Sequence, residues 1–430
     1  MMRRGVGTTA LVAALALAAT ACGGGGEGAQ DDGSDGLFGT VTYWDTSNDA
    51  EKGVYRKIAE DFEKEYPEVD VAYVNIGFDD AQNKFKNAAN AGEAPEVMRT
   101  EVAWVADFAA LQLIEPLDEF IEDGDAPGNT VDKDDYLEAP WGSTQYEGAT
   151  YALPQVTDTL ALFCNKALLE EADVVAPASV EELKDSAGAI TGRTGATPLY
   201  LRGDDAYWFL PYLYGEGGDL VDAGAEKVTV DSPAGVAAFE TVRELLDEKV
   251  ATTDLTDGYA NQQKAFTDGE VAMMVNGPWA IKDTLAAGKF KNDPDNLGVV
   301  PVFAGSEGQG APQGGWNLSV YAGTENMPAA KAFAAYLSSP EVQQRTTEEL
   351  DLLPTRASVY EEASVRGNER VQFFKPAVDK AVERAWIPEA ASLFDPLRDE
   401  LAKVVKGAAT PQEAADATAE QYRELLAGWK

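Results

Sequence analysis

The sequence predicts an α/β fold with mainly parallel sheets and helices on both faces. Three observations carry this. Short β-rich runs alternate with runs whose apolar residues recur at helical spacing. Capping signals stand where the helical runs begin. The strand–helix alternation then appears a second time further along the chain. With 430 residues, at roughly 150 per domain, two or three domains are expected.

The elements follow in order. Val41 to Trp44 is a strand. Ala50 to Lys64 is an amphipathic helix, with Val54, Ile58 and Phe62 four apart on one face, and Pro67 stops it. Val69 to Ile76 is a second strand, Ala81 to Ala91 a helix, Glu96 to Arg99 a strand, and Val102 to Leu113 a helix. In the second unit Leu160 to Phe163 and Val271 to Val275 are strands. Ser179 to Glu182 and Thr410 to Glu413 are capping boxes, and Ser232-Pro233 and Ser339-Pro340 each place an N-cap before a proline at the first helical position. Ligands of such sheets sit beyond the carboxyl ends of the strands.

Composition removes several chemistries. There are 34 Lys+Arg against 74 Asp+Glu, a net charge of −40, and no histidine. A broad nucleic-acid face needs an excess of cations, so no nucleic-acid partner is expected. Without histidine there is no Ser-His-Asp triad, Cys-His pair or HExxH zinc site. No metal or cofactor is expected. A hydrophobic share of 45% is a globular value, so the acidity is not a sign of disorder.

The amino-terminal segment resembles an export signal. Arg3 and Arg4 precede an apolar run from Thr9 to Ala19, too short to span a bilayer comfortably. Ala19-Thr20-Ala21-Cys22 resembles a bacterial lipobox, with Ala19 where Leu is more usual. It implies that 1–21 is removed and that Cys22 carries lipid. The Gly-rich, acidic stretch 22–37 cannot bury a core and reads as a flexible tether. Cys164, the other cysteine, lies in an apolar run and reads as a core residue.

Candidate site residues are aromatics beside acceptors. Trp44 precedes Asp45 and Thr46. Glu101 and Trp104 follow a strand, Asp158 follows Gln155-Val156-Thr157, and Tyr207-Trp208 follow Asp204-Asp205. Trp279 follows Gly277-Pro278, and Trp316 follows Gly314-Gly315. A pyranose lays its apolar C–H face on a ring and donates its hydroxyls to carboxylates.

Several stretches carry a family resemblance. They are Tyr151-Ala-Leu-Pro154 leading to Phe163-Cys-Asn165-Lys166, Ala265-Phe266-Thr-Asp-Gly269-Glu270-Val-Ala272-Met273, Asn276-Gly277-Pro278-Trp279, Gly314-Gly315-Trp316-Asn317, and Leu353-Pro354-Thr355-Arg356. From Gly39 to Trp429 the chain resembles family 1 extracellular solute-binding proteins of the maltose/maltodextrin type, which serve ABC importers. Cys164 stands where that family usually has Tyr. The resemblance implies a periplasmic-binding-protein-like fold of two α/β lobes around a hinged cleft, 38–155 plus 316–366 forming the first lobe and 156–315 plus 367–430 the second. It implies that Asp158 accepts from sugar hydroxyls, that Tyr207, Trp279 and Phe394 stack, and that Trp44, Asp45 and Glu101 form the first-lobe wall. Trp316 and Arg356 match positions that contact sugar in some relatives. It further implies a monomer whose partners are a sugar, a membrane permease and, through Cys22, the membrane.

Two other readings of the same residues stay open at this point. Asp158 and Glu101 are a conceivable carboxylate pair of a secreted glycosidase. The acids Asp45, Glu101, Asp158 and Asp205 would equally welcome a cationic solute, which also stacks on aromatics.

Overall fold

The computed structural model describes residues 36–429. The export signal, Cys22 and nearly all of the tether lie outside the described residues. Two large sheets organise the chain. The first contains β1 (Gly39–Asp45), β2 (Val69–Asn75), β3 (Val97–Glu101), β4 (Leu153–Thr159), β10 (Ala311–Val320) and β11 (Ala381–Val382). The second contains β5 (Ala161–Asn165), β6 (Thr197–Tyr200), β7 (Ala251–Thr252), β8 (Val271–Asn276) and β9 (Leu297–Pro301).

The first sheet runs β11-β10-β3-β1-β2, with β4 also on β10. The second runs β7-β6-β8-β5-β9. Parallel pairing holds where a helix makes the crossover, as between β1 and β2 or β6 and β8. The sheets are more mixed than the helix–strand alternation suggested. β10 runs antiparallel to β3 and β4, and β5 runs antiparallel to β8 and β9. These strands enter from a distant part of the chain, so no local crossover helix dictates their direction. β4 and β10 run unbroken through the expected lobe boundaries at 155/156 and 315/316.

The expected helices form, with shifted ends. The first is Lys52–Glu65, burying Val54, Ile58 and Phe62. The second starts at Phe78, where Asp79 and Asp80 suit the positive end of the helix dipole. The run 102–113 is divided into a tight turn, Val102–Trp104, and a short helix, Val105–Ala110, because the Glu101 side chain accepts from the Ala103 amide. Thr410 and Glu413 make both halves of their capping box. At the other box Ser179 caps Glu182, but the Glu182 carboxylate takes the Ala178 amide instead of the Ser179 amide.

Each sheet has its own core. Val41, Tyr43, Ile58, Phe62 and Phe333 pack on the first. Leu162, Phe209, Phe239, Leu397 and Tyr422 pack on the second, where helices Phe394–Val405 and Pro411–Leu425 lie on helix Pro233–Asp247. Cys164 is buried in β5, and burial pushes its thiol up to about 12. Among the described residues no helix is long and apolar enough to cross a membrane, and no cluster of side chains suits a metal.

Candidate functional site

The site forms where β3, β10 and β4 run side by side. Register places Trp316 against Glu101, Gly315 against Thr157, and Gly314 against Asp158. Two glycines make this approach possible. Gly315 sits at φ +141°, and a Cβ there would fall 2.4 Å from the Val156 carbonyl oxygen. A Cβ on Gly314 would fall 2.1 Å from Asp158 Oδ1 and 2.5 Å from the Tyr207 hydroxyl. A side chain at 314 would therefore fill the space in which Tyr207 meets Asp158.

Tyr207 enters from the turn that follows β6 of the second sheet. Asp205 caps the turn Ala206–Phe209 by accepting from the Tyr207 amide, which aims the ring. The Tyr207 hydroxyl donates to Asp158 Oδ1 at 3.3 Å and lies 3.4 Å from the Pro312 carbonyl. Burial raises the Asp158 carboxyl to about 7. Arg384 opposes that shift and Glu101 adds to it. Next to it, Glu101 takes the Ala103 amide at 2.8 Å through one oxygen and pairs with Arg384 through the other. The Arg384 guanidinium carbon lies 5.5 Å from the centre of the Tyr207 ring, 5.3 Å from Trp386 and 5.8 Å from Phe394. Glu101, Asp158, Tyr207, Arg384 and Phe394 thus form one group, buried or half-buried, that joins the first sheet to segments following β6 and β11.

Two aromatic groups flank it. On one side Trp316 lies under Arg99, 4.3 Å from ring centre to guanidinium, and meets Trp104 and Phe78 edge-on. Arg99 is held by Glu51 at 3.3 Å and by Gln155 at 2.8 Å. Thr46 donates to the Arg99 carbonyl at 3.1 Å. Trp44 is half-buried and packs on the same apolar cluster as Trp316. On the other side Trp208 meets Tyr207 and Trp279 edge-on, at 5.7 and 6.2 Å. Trp279 folds over Gly277, where a Cβ would strike the ring at 2.0 Å.

Not every expected site residue offers a free group. Asp45 is fully buried and accepts from the Ser47 amide and hydroxyl and from the Tyr73 hydroxyl. Trp208 spends its indole N–H on the Val275 carbonyl at 2.7 Å. Arg356 stands apart from the group. It is 1% exposed, donates to the carbonyls of Ser338 and Thr130 and to the Tyr136 hydroxyl, and pairs with Asp135. Its guanidinium ties the segment 130–136 to the segment around Ser338.

The structure adds Gly314, Arg384 and Trp386 to the site. Gly314 stood in a quoted motif, but its role depends on Tyr207, 107 positions earlier in the chain. Arg384 and Trp386 lie in Glu383-Arg-Ala-Trp386, which matches no motif. Ala103, Tyr214, Asp219, Arg384, Leu393 and Phe394 line a cavity of about 20 Å³ beside this group. That holds one water and no sugar ring.

Known proteins share this architecture. A receptor of Streptomyces glaucescens, GacH, solved unliganded and with acarbose, is 60% identical. The likeness covers 92% of this chain and 100% of that one, with a TM-score of 0.87. The maltotriose-binding protein of Pyrococcus abyssi is 26% identical over 90% of this chain and 82% of its own length. The diacetylchitobiose-binding protein DasA of Streptomyces coelicolor is 23% identical over 97% of both. Residues 46–344 match the family described as bacterial extracellular solute-binding protein. On that match, and on two α/β lobes that meet at a shared group of rings and carboxylates, the chain belongs to the bacterial extracellular solute-binding proteins.

Proposed function

We propose that the chain captures an oligosaccharide between its lobes and delivers it to an ABC importer. One observation carries this reading: Asp158 and Glu101 stand among Tyr207, Phe394 and Trp316, at the seam between lobes. Carboxylates take sugar hydroxyls, and rings take the apolar sugar face. Trp279 and Trp44 extend the stacking walls. The oligosaccharide-binding relatives favour this class of ligand over a cationic solute.

In this reading the lobes move. The cavity beside Arg384 and Phe394 holds about one water, so a sugar there needs its walls to separate. A ligand that touches both walls then favours the closed form by its differential affinity. The first lobe comprises 38–155 plus 316–366 and the second 156–315 plus 367–430, with crossings in β4, in β10 and near Gly367. Cys22 carries lipid, and 22–37 tethers a monomeric receptor to the outer face of the membrane near its permease, raising its effective concentration there.

Isothermal titration and thermal shift with maltotriose, diacetylchitobiose and acarbose test the reading. At least one should bind and raise the melting temperature. If none does, while an amino acid or polyamine does, the sugar reading fails. Bound sugar should be recovered unchanged, and cleavage products would identify a glycosidase instead.

A further inference from the structure

The segment after β11 carries two polar groups that no described residue satisfies. Arg384 is 8% exposed, and its Nη2 is held by Glu101 at the end of β3. Among the described residues its Nε–H has no hydrogen-bond partner, and neither does the indole N–H of Trp386. The two side chains are neighbours, with the guanidinium 5.3 Å from the Trp386 ring centre. A buried donor left unpaired costs about 1–3 kcal/mol, so such groups are rare in folded proteins. Here two stand together, beside a group of rings and carboxylates at the seam between lobes.

Their chemistry complements the rest of the site. Asp158 and Glu101 accept hydrogen bonds, and so serve ligand hydroxyls. Arg384 Nε and Trp386 Nε1 only donate, and so need acceptor oxygens. A sugar offers these as ring, glycosidic, hydroxyl or acetamido oxygens. We infer that Arg384 and Trp386 are specificity-determining residues that donate to acceptor oxygens of the bound sugar. This rests on the sugar reading above. The ion pair to Glu101 holds the guanidinium in place, which fixes the direction of its free donor.

The test uses the full chain with maltotriose and acarbose as probes. Trp386→Phe keeps the ring and removes the N–H; its affinity should fall about 2- to 10-fold, the worth of one neutral hydrogen bond. Arg384→Lys keeps a cation for Glu101 and removes Nε; its affinity should fall about 10- to 100-fold, as for a charged donor. Melting temperatures without sugar should stay near that of the wild type, which a purely structural role would not allow. In the wild type, the indole proton resonance missing from Trp386→Phe should move when sugar binds. If Trp386→Phe does not fold, Arg384→Lys decides alone. Wild-type binding with both variants unchanged, and an indole resonance that stays in place, overturns this inference and leaves the sugar reading standing. Failure of the wild type to bind any sugar overturns both.

Discussion

Tyr207, in the turn after β6 of the second sheet, meets Asp158 on β4 of the first sheet, its hydroxyl 3.3 Å from Oδ1, in a space that only a glycine at 314 leaves open. Gly314→Ala puts a methyl 2.1 Å from that carboxylate oxygen. The two side chains must move apart, and such overpacking costs about 1–3 kcal/mol. Sugar affinity should fall by tenfold or more, with a lower melting temperature. Titration calorimetry and a thermal melt check both, and unchanged affinity would show that the contact is not part of the site.

Asp158 should make stability depend on pH. Its ordinary value of 3.8 is raised to about 7 by burial, against the pull of Arg384. Below about pH 4 folded and unfolded chains both hold the proton, and its contribution to stability is fully present. Above that, only the folded chain holds it, so stability falls as pH rises and levels off past about 7. The slope is at most about 1.4 kcal/mol per pH unit. Asp158→Asn should flatten that part of the profile, measured by urea unfolding between pH 5 and pH 8 at fixed salt. Sugar affinity should run the other way and rise through pH 7, as the accepting carboxylate forms.

Trp279 is half-buried and rests edge-on against Trp208. Trp279→Ala removes a stacking face and should weaken sugar binding by about 1–3 kcal/mol, judged from lost apolar contact. Trp279→Phe should recover part of it. Equal affinities for all three proteins would remove Trp279 from the site.

Arg356 should separate stability from binding. Its buried guanidinium answers Asp135, Tyr136 and the carbonyls of Ser338 and Thr130. Arg356→Ala leaves those groups unanswered and should destabilise the chain by about 3–5 kcal/mol. The folded fraction should keep wild-type affinity. A stable variant that has lost affinity would place Arg356 against the ligand after all.

The local code was legible where neighbours in sequence settle it. Thr410 and Glu413 make a capping box because both partners lie within one turn. Val54, Ile58 and Phe62 face the core because their spacing matches the helix. The tryptophans were legible as a class, but not in their duties. Trp208 and Trp279 looked alike in sequence, yet the Trp208 indole N–H is taken by a strand 67 positions away. Arg356 carried a family pattern, and its environment of Asp135, Tyr136 and Ser338 gives it a structural duty.

The sequence by itself determined an α/β chain with no histidine chemistry, acids and aromatics at strand ends, and a family pattern over most of its length. Periodicity, caps and composition act over a few residues, so they can be read along the chain. Tertiary structure decided the direction of β10, the meeting of Asp158 with Tyr207, and the joining of Glu101 to Arg384, 283 positions apart. Those contacts arise because β10 and the segment after β11 return late in the chain to a sheet begun at Gly39. A side chain's partners, and so its charge state and its duty, depend on that return.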